Sequence, residues 1–221
     1  MLTIHAAPLV LPVGAAAVAG GFGGGAVAVD GDRIAAIGPY EEVVAAHPAA
    51  RVRRWPGLLT PGLRQDRARE LLTRCYHPDP READELGELP LWGEEFERLT
   101  ATMDTARRAG SIRRGLQRML RHGTTHVVGR FGADEPALRT AIARSGLVQV
   151  PAPGSAAGPP DLDPFAVSGG DLATTAHGPL AVGGRADLAV FDVADEAALR
   201  AGGAVHCVAT VLAGRLVHRA R

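Results

Sequence analysis

Apolar positions follow one rhythm at the two ends of the chain and another in the middle. In "LTIHAAPLVL" and in "GAVAVDGDRIAAIG" they fall in short alternating or continuous runs bounded by glycine and aspartate. That pattern predicts a strand followed by a hairpin, with Val27 and Val29 leading into Asp30-Gly31-Asp32 and Ile34 to Ile37 leading out. "PYEEVVAAHP" suits a short helix closed by Pro48, and "ARVRRWPGLLTPGL" returns to extended structure. The reason is steric: the residues before Pro56 and Pro61 are pushed out of the α region. Near the other end "RADLAVFDV" reads as a strand, "DEAALRAGG" as a short helix, and "VHCVATVLAGRLVHRA" as a hairpin turning at Ala213-Gly214.

The middle keeps a helical period. Phe96, Leu99, Met103 and Ala106 share a face within Glu94–Arg108, with Glu94/Arg98 and Asp104/Arg108 spaced as i,i+4 pairs. Ser111 is placed to cap a second helix whose face is Ile112, Leu116, Met119 and Leu120, and Gly123 is its stop. "TTHVVG" is then a short buried strand, "DEPALRTAIARSG" a third helix, and "LVQV" another strand. Helix, strand, helix and strand in that order favour parallel pairing.

These patterns predict an α+β fold. A composite β-sandwich is formed by residues 1–60 and 178–221, a reduced α/β lobe by 61–150 is inserted into it, and the Pro/Gly/Ala-rich stretch 151–177 is a linker. The apolar opening "MLTIHAAPLVLPVGAAAVAGGFGGGAV" lacks a basic n-region and contains prolines, so it reads as strand and loop rather than as a signal or membrane helix.

Composition narrows the chemistry. Lys+Arg and Asp+Glu are both 24, a balance that gives no reason to expect nucleic acid or a membrane surface as partner. Every basic residue is arginine, which rules out a Schiff-base, P-loop or carbamylated lysine. The two cysteines, Cys75 and Cys207, are far apart and in no metal-ligand spacing, which is consistent with a reducing, cytoplasmic setting. "GFGGGA" (Gly21–Ala26) formally fits G-x-G-x-x-A, but a strand-like run follows it where a dinucleotide site needs a helix, so it reads as a flexible loop between strands. "GSAAG" at Gly154–Gly158 lacks the order of a nucleophile elbow.

Two separated signatures, "GAVAVDGDRIAAIGP" with "LLTPGL" and "GPLAVGGRADLAVFDV" with "VATVLAGRLVHR", resemble the amidohydrolase superfamily of metal-dependent C–N hydrolases and deaminases, and in particular imidazolonepropionase-like composite domains. "RRGLQRMLRHGTTHVVGR" resembles an early barrel helix and the strand after it. The resemblance implies a composite β-sandwich around a metal-binding (β/α)₈ barrel, with a His-x-His pair following "PGL". Here Pro61-Gly62-Leu63 is followed by Arg64-Gln65-Asp66-Arg67-Ala68-Arg69, so the matching positions are Arg67 and Arg69. Arginine stays protonated and has no lone pair for a cation. Roughly 120 residues separate Gly62 from Gly183, against roughly 250 for a full barrel, so most of the barrel is missing.

The remaining candidates are few. His122 and His126 are four apart, but Gly123 separates them, so "HGTTH" is not a zinc-helix motif. His77 and His126 are the residues a rebuilt metal site would use. Arg67, Arg69 and Arg130 form a candidate anion site, because arginine forks suit carboxylates and phosphates. Asp79–Glu97 carries eight acids and one arginine, whereas Thr105–Ala133 carries seven arginines and no acid. Opposite faces that pair within one molecule account for that asymmetry.

The sequence therefore leads to a degenerate, non-catalytic amidohydrolase-like protein acting as a binding or assembly module, with no cofactor. Exposed sheet edges left by the missing strands call for a cover, either a homodimer or a protein partner. The alternatives are a C–N hydrolase or deaminase with a rebuilt divalent-metal site, acting on a nucleoside- or imidazole-like substrate, and an arginine-lined sensor of an anionic metabolite.

Overall fold

The apolar runs at the two ends of the chain become neighbouring strands of one sheet. A computed structural model describes residues 2–14, 20–132, 135–152, 159–168 and 170–220. In chain order the elements are β1 (Thr3–Val10), β2 (Phe22–Asp30), β3 (Arg33–Pro39), α1 (Tyr40–Ala46), β4 (Arg51–Arg54), β5 (Leu58–Pro61) and β6 (Leu63–Gln65). Then come α2 (Ala68–Thr73), β7 (Cys75–Tyr76), α3 (Ala83–Leu86), β8 (Leu91–Trp92), α4 (Glu94–Thr100), α5 (Thr105–Arg121) and β9 (Thr124–Val128). The last are α6 (Pro136–Ser145), β10 (Val148–Val150), α7 (Pro164–Ser168), α8 (Leu172–Thr175), β11 (Leu188–Phe191), α9 (Glu196–Gly202), β12 (Cys207–Leu212) and β13 (Arg215–Arg219).

The chain divides into two units, 1–64 with 120–125 and 163–221, and 65–119 with 126–162. The first is built on an eight-stranded sheet of order β13-β12-β11-β5-β1-β2-β3, with β4 also paired to β1. β1 changes partner along its length: Thr3–Ala6 pair in parallel with β4, and Leu9 and Val10 with β5. Pro8 lies between those two segments and has no N–H to give to a ladder.

Alternation then sorts the side chains. Ala7, Val10, Val27, Val29, Leu59, Leu188, Val190, Ala209 and Val211 share one core layer with Trp55 and Leu180. The intervening residues bury the other way, Ile4, Ala6, Ala26 and Ala28 against Val43 of α1. Leu58, Ala189 and Phe191 pack on Phe165, Leu172 and Leu199 from α7, α8 and α9. Strands buried on both faces need apolar residues at every position, which explains "AVAV" and "LAVF". The hairpin at Ala213-Gly214 forms as expected, with positive φ at both residues.

In the second unit β9 and β10 pair in parallel, Val148 opposite His126 and Val150 opposite Val128. They belong to a three-stranded sheet of order β10-β9-β6, and among the described residues there is no closed barrel. The fold is thus a mixed α/β one, a large sheet built from both ends of the chain with a reduced α/β insert.

Three local expectations change. "GFGGGA" is not a loop, because Phe22 to Ala26 are the first half of β2 and pair with β1, Gly23 opposite Leu9 and Gly25 opposite Ala7. Ser111 does not start a helix. It is buried inside α5, and its hydroxyl accepts the backbone N–H of His77 at 2.9 Å. The helical period of Glu94–Arg108 is shared by two helices that break over Ala101–Asp104, where the Asp104 carboxylate instead accepts the N–H of Arg107 and caps α5. Short helices α7 and α8 form within 151–177, and the segment "GSAAG" lies outside the described residues.

Candidate functional site

The segment Leu58–Gln65 is split by Gly62 into two strands of different sheets. Leu58–Pro61 pairs with β11, and Leu63–Gln65 joins the small sheet. The Gly62 N–H donates to Asp187 and that of Leu63 to Gly123, each at 2.9 Å. A side chain at 62 would collide with Thr125, so glycine is required where the chain passes between sheets.

At the C-terminal end of β6 three polar side chains are committed to holding the chain itself. Gln65 is fully buried. Its Nε2 donates to the carbonyls of Asp161 and Leu162 at 3.2 and 3.1 Å, while its Oε1 accepts the N–H of Arg67 at 3.0 Å. Arg67, 4 % exposed, donates from Nη1 to the Pro159 carbonyl at 2.6 Å. Arg69 donates from Nη1 to the Arg130 carbonyl and to Oε2 of Glu135, both at 2.7 Å. Arg67 and Arg69, at the two positions where the resemblance implies histidines, thus tie the end of β6 to the loops that follow β9 and β10. The charge-assisted hydrogen bond of the buried Arg67 contributes about 1.5–3 kcal/mol, and the more exposed Arg69 pair about 1 kcal/mol or less. Of the three arginines of the candidate anion site, Arg69 and Arg130 meet through a backbone carbonyl, and the Arg130 side chain is exposed. Neither Gln65 nor Glu135 stood out in the sequence, since a glutamine at a strand end and a glutamate before a proline have no motif.

The two candidate histidines lie in the same unit. His77 is 0 % exposed, with Nε2 donating to the Leu71 carbonyl at 2.9 Å and Nδ1 without a hydrogen-bond partner among the described residues. Burial, with Arg118, Arg114 and Arg108 nearby, lowers its pKa to about 4 against the opposing effect of that carbonyl. Gly115 of α5 lies against its ring, leaving no room for a Cβ. His126 is buried on β9. Among the described residues no three His, Cys, Asp or Glu side chains converge to hold a metal ion. The metal implied by the resemblance therefore does not fit the described residues, with arginines where the resemblance implies the first two ligands and His77 hydrogen-bonded into the backbone. Cys75, also buried, is no better as a nucleophile, because burial pushes its thiol up to about 12.

The acid and arginine runs meet inside this unit through two of the eight acids. Arg107 Nη2 pairs with Glu82 at 2.8 Å, and Arg114 Nη1 with Asp79 at 3.1 Å. The Tyr76 hydroxyl donates to Glu82 at 2.6 Å and accepts from Arg107 Nε at 2.9 Å. In the first unit a cleft of about 300 Å³ is lined by Leu11, Val13, Asp171 and Glu196 among others. Its carboxylates are already used, Asp171 by the N–H of Ala173 and Glu196 by that of Leu172.

Comparison with known proteins agrees with the composite-domain resemblance. Residues 25–50, the β2–β3 hairpin and α1, match the family described as imidazolonepropionase-like composite domain, bacteria. No curated protein matches the chain. Among solved structures, an adenosine deaminase from Xanthomonas campestris with bound zinc aligns with 67 % of this chain and 33 % of its own, at 19 % identity and a TM-score of 0.44. E. coli guanine deaminase aligns over 67 % and 35 %, at 17 % identity and 0.44. A. niger ochratoxinase aligns over 66 % and 29 %, at 17 % identity and 0.42. The chain spans about a third of the length of these structures.

Proposed function

We propose that this chain is a degenerate, non-catalytic amidohydrolase-like protein that serves as a binding or assembly module, working as a homodimer or with a protein partner in the cytoplasm. The observation that carries this reading is the use made of Arg67 and Arg69. At the positions where the family would place metal-binding histidines, both guanidinium groups are bonded to loops of their own unit.

Metal content tests it. Mass spectrometry of the untagged protein after mild dialysis is expected to find zinc, iron and manganese far below stoichiometric. Near-stoichiometric metal, with activity on deaminase or amide substrates, would overturn the reading in favour of a C–N hydrolase with a rebuilt site.

An arginine-lined sensor is the second reading, favoured by the exposed Arg130 at the end of β9, where α/β sheets gather their ligands. Its mark is a rise in melting temperature with carboxylates or phosphates and without metal.

A further inference from the structure

Arginine over an aromatic ring is the recurrent contact of this chain. Arg54 lies 4.4 Å from the Tyr40 ring centroid, Arg219 5.8 Å from that of Trp55, Arg107 5.1 Å from that of Tyr76, and Arg108 5.0 Å from that of Phe96. Both tyrosines and one of the two tryptophans are thus occupied. Trp92 is the exception. Among the described residues no guanidinium covers it, and it stands 51 % exposed on β8, with Leu89 77 % exposed three residues before it.

The segment that carries this apolar pair is rich in exposed acids. Asp84, Glu85, Glu88, Glu94, Glu95 and Glu97 are all exposed, and none forms an ion pair among the described residues. Asp79 and Glu82, the other two acids of the run, are already paired with Arg114 and Arg107. An exposed tryptophan in a segment that carries six exposed carboxylates suits an arginine-rich surface, since one guanidinium can stack on the indole while others pair with the acids. The same chain presents such a surface. Along α5, Arg113, Gln117 and Arg121 are exposed at four-residue spacing, on the side away from its buried Ile112, Leu116 and Met119.

We propose that the surface of residues 84–97, centred on Leu89 and Trp92, docks the outward face of α5 of a second copy of this chain. The contact is reciprocal, acidic patch on arginine face and arginine face on acidic patch, as two-fold symmetry requires of an isologous interface. This deepens the assembly reading of the chain and rests on it.

The test is sedimentation of the full chain over a range of protein and salt concentrations. A dimer that weakens as salt rises is expected. Trp92→Ala, Glu88→Arg/Glu95→Arg and Arg113→Glu/Arg121→Glu are each expected to raise its dissociation constant by roughly tenfold or more. All these side chains are exposed, and circular dichroism verifies that the variants fold. An equimolar mixture of the two charge-reversed variants is expected to recover a heterodimer, because both reciprocal contacts become complementary again. A protein that stays monomeric at low salt and high concentration overturns the proposal. So does a dimer indifferent to all three variants, or two variants that fail to recover on mixing. Those outcomes leave the non-catalytic reading in place, since metal content reports on it separately.

Discussion

Burial of neutral imidazoles makes this protein sensitive to acid at the level of single residues. His5 accepts the Trp55 Nε1–H at 3.1 Å through Nδ1, and burial with Arg53 nearby lowers its pKa to about 4, as for His77. Both folded values lie below the unfolded value of 6.5, so the unfolded chain binds more protons between pH 6.5 and about 4. The stability they contribute is complete above pH 6.5 and is lost as the pH falls through that window, on the order of 2–3 kcal/mol for each group. Asp187, whose carboxyl is raised by burial, opposes this trend at its lower end. Urea midpoints at pH 7.5, 5.5 and 4.5 are expected to fall steadily, and His77→Gln to flatten the slope. Gly57 is a second single-residue liability. It sits at φ +64°, and a Cβ there would run into the carbonyls of Phe191 and Val193. Gly57→Ala is expected to cost about 2 kcal/mol or more, read from chemical denaturation.

At the scale of elements, the segment Pro159–Leu162 is held by the end of β6, through Gln65 and Arg67. Gln65→Leu removes two of those bonds and leaves the buried N–H of Arg67 without its acceptor, at a cost of about 1–3 kcal/mol. Hydrogen exchange should show lost amide protection in Asp161–Phe165. Protection unchanged there would mean that the segment is held by other contacts. Most strands were legible beforehand, because burial on both faces writes itself into continuous apolar runs such as "LAVF". Helix limits were less so. Ser111 looks like a cap because hydroxyls favour that position, yet a tertiary partner, the N–H of His77, holds it inside α5. That arginines stand at 67 and 69, where the resemblance implies histidines, could also be read from sequence, whereas the partners of those arginines could not. Glu135 lies 66 residues from Arg69 and Pro159 lies 92 from Arg67, and no local pattern encodes such pairings.

For the whole molecule, the order of strands in the large sheet has a consequence for how the chain is made. β5 lies between β1 and β11, and Leu58 is hydrogen-bonded in register with Phe191, 133 positions later. During synthesis the first half of the sheet emerges with one edge of β5 open, and that edge stays open until residues 188–191 have left the ribosome. Loop closure over so long a span makes for slow folding. Through that interval the nascent chain presents Leu58 and Leu59, apolar on both faces of an unpaired strand, the kind of surface that chaperones bind and that crowded synthesis turns into aggregates.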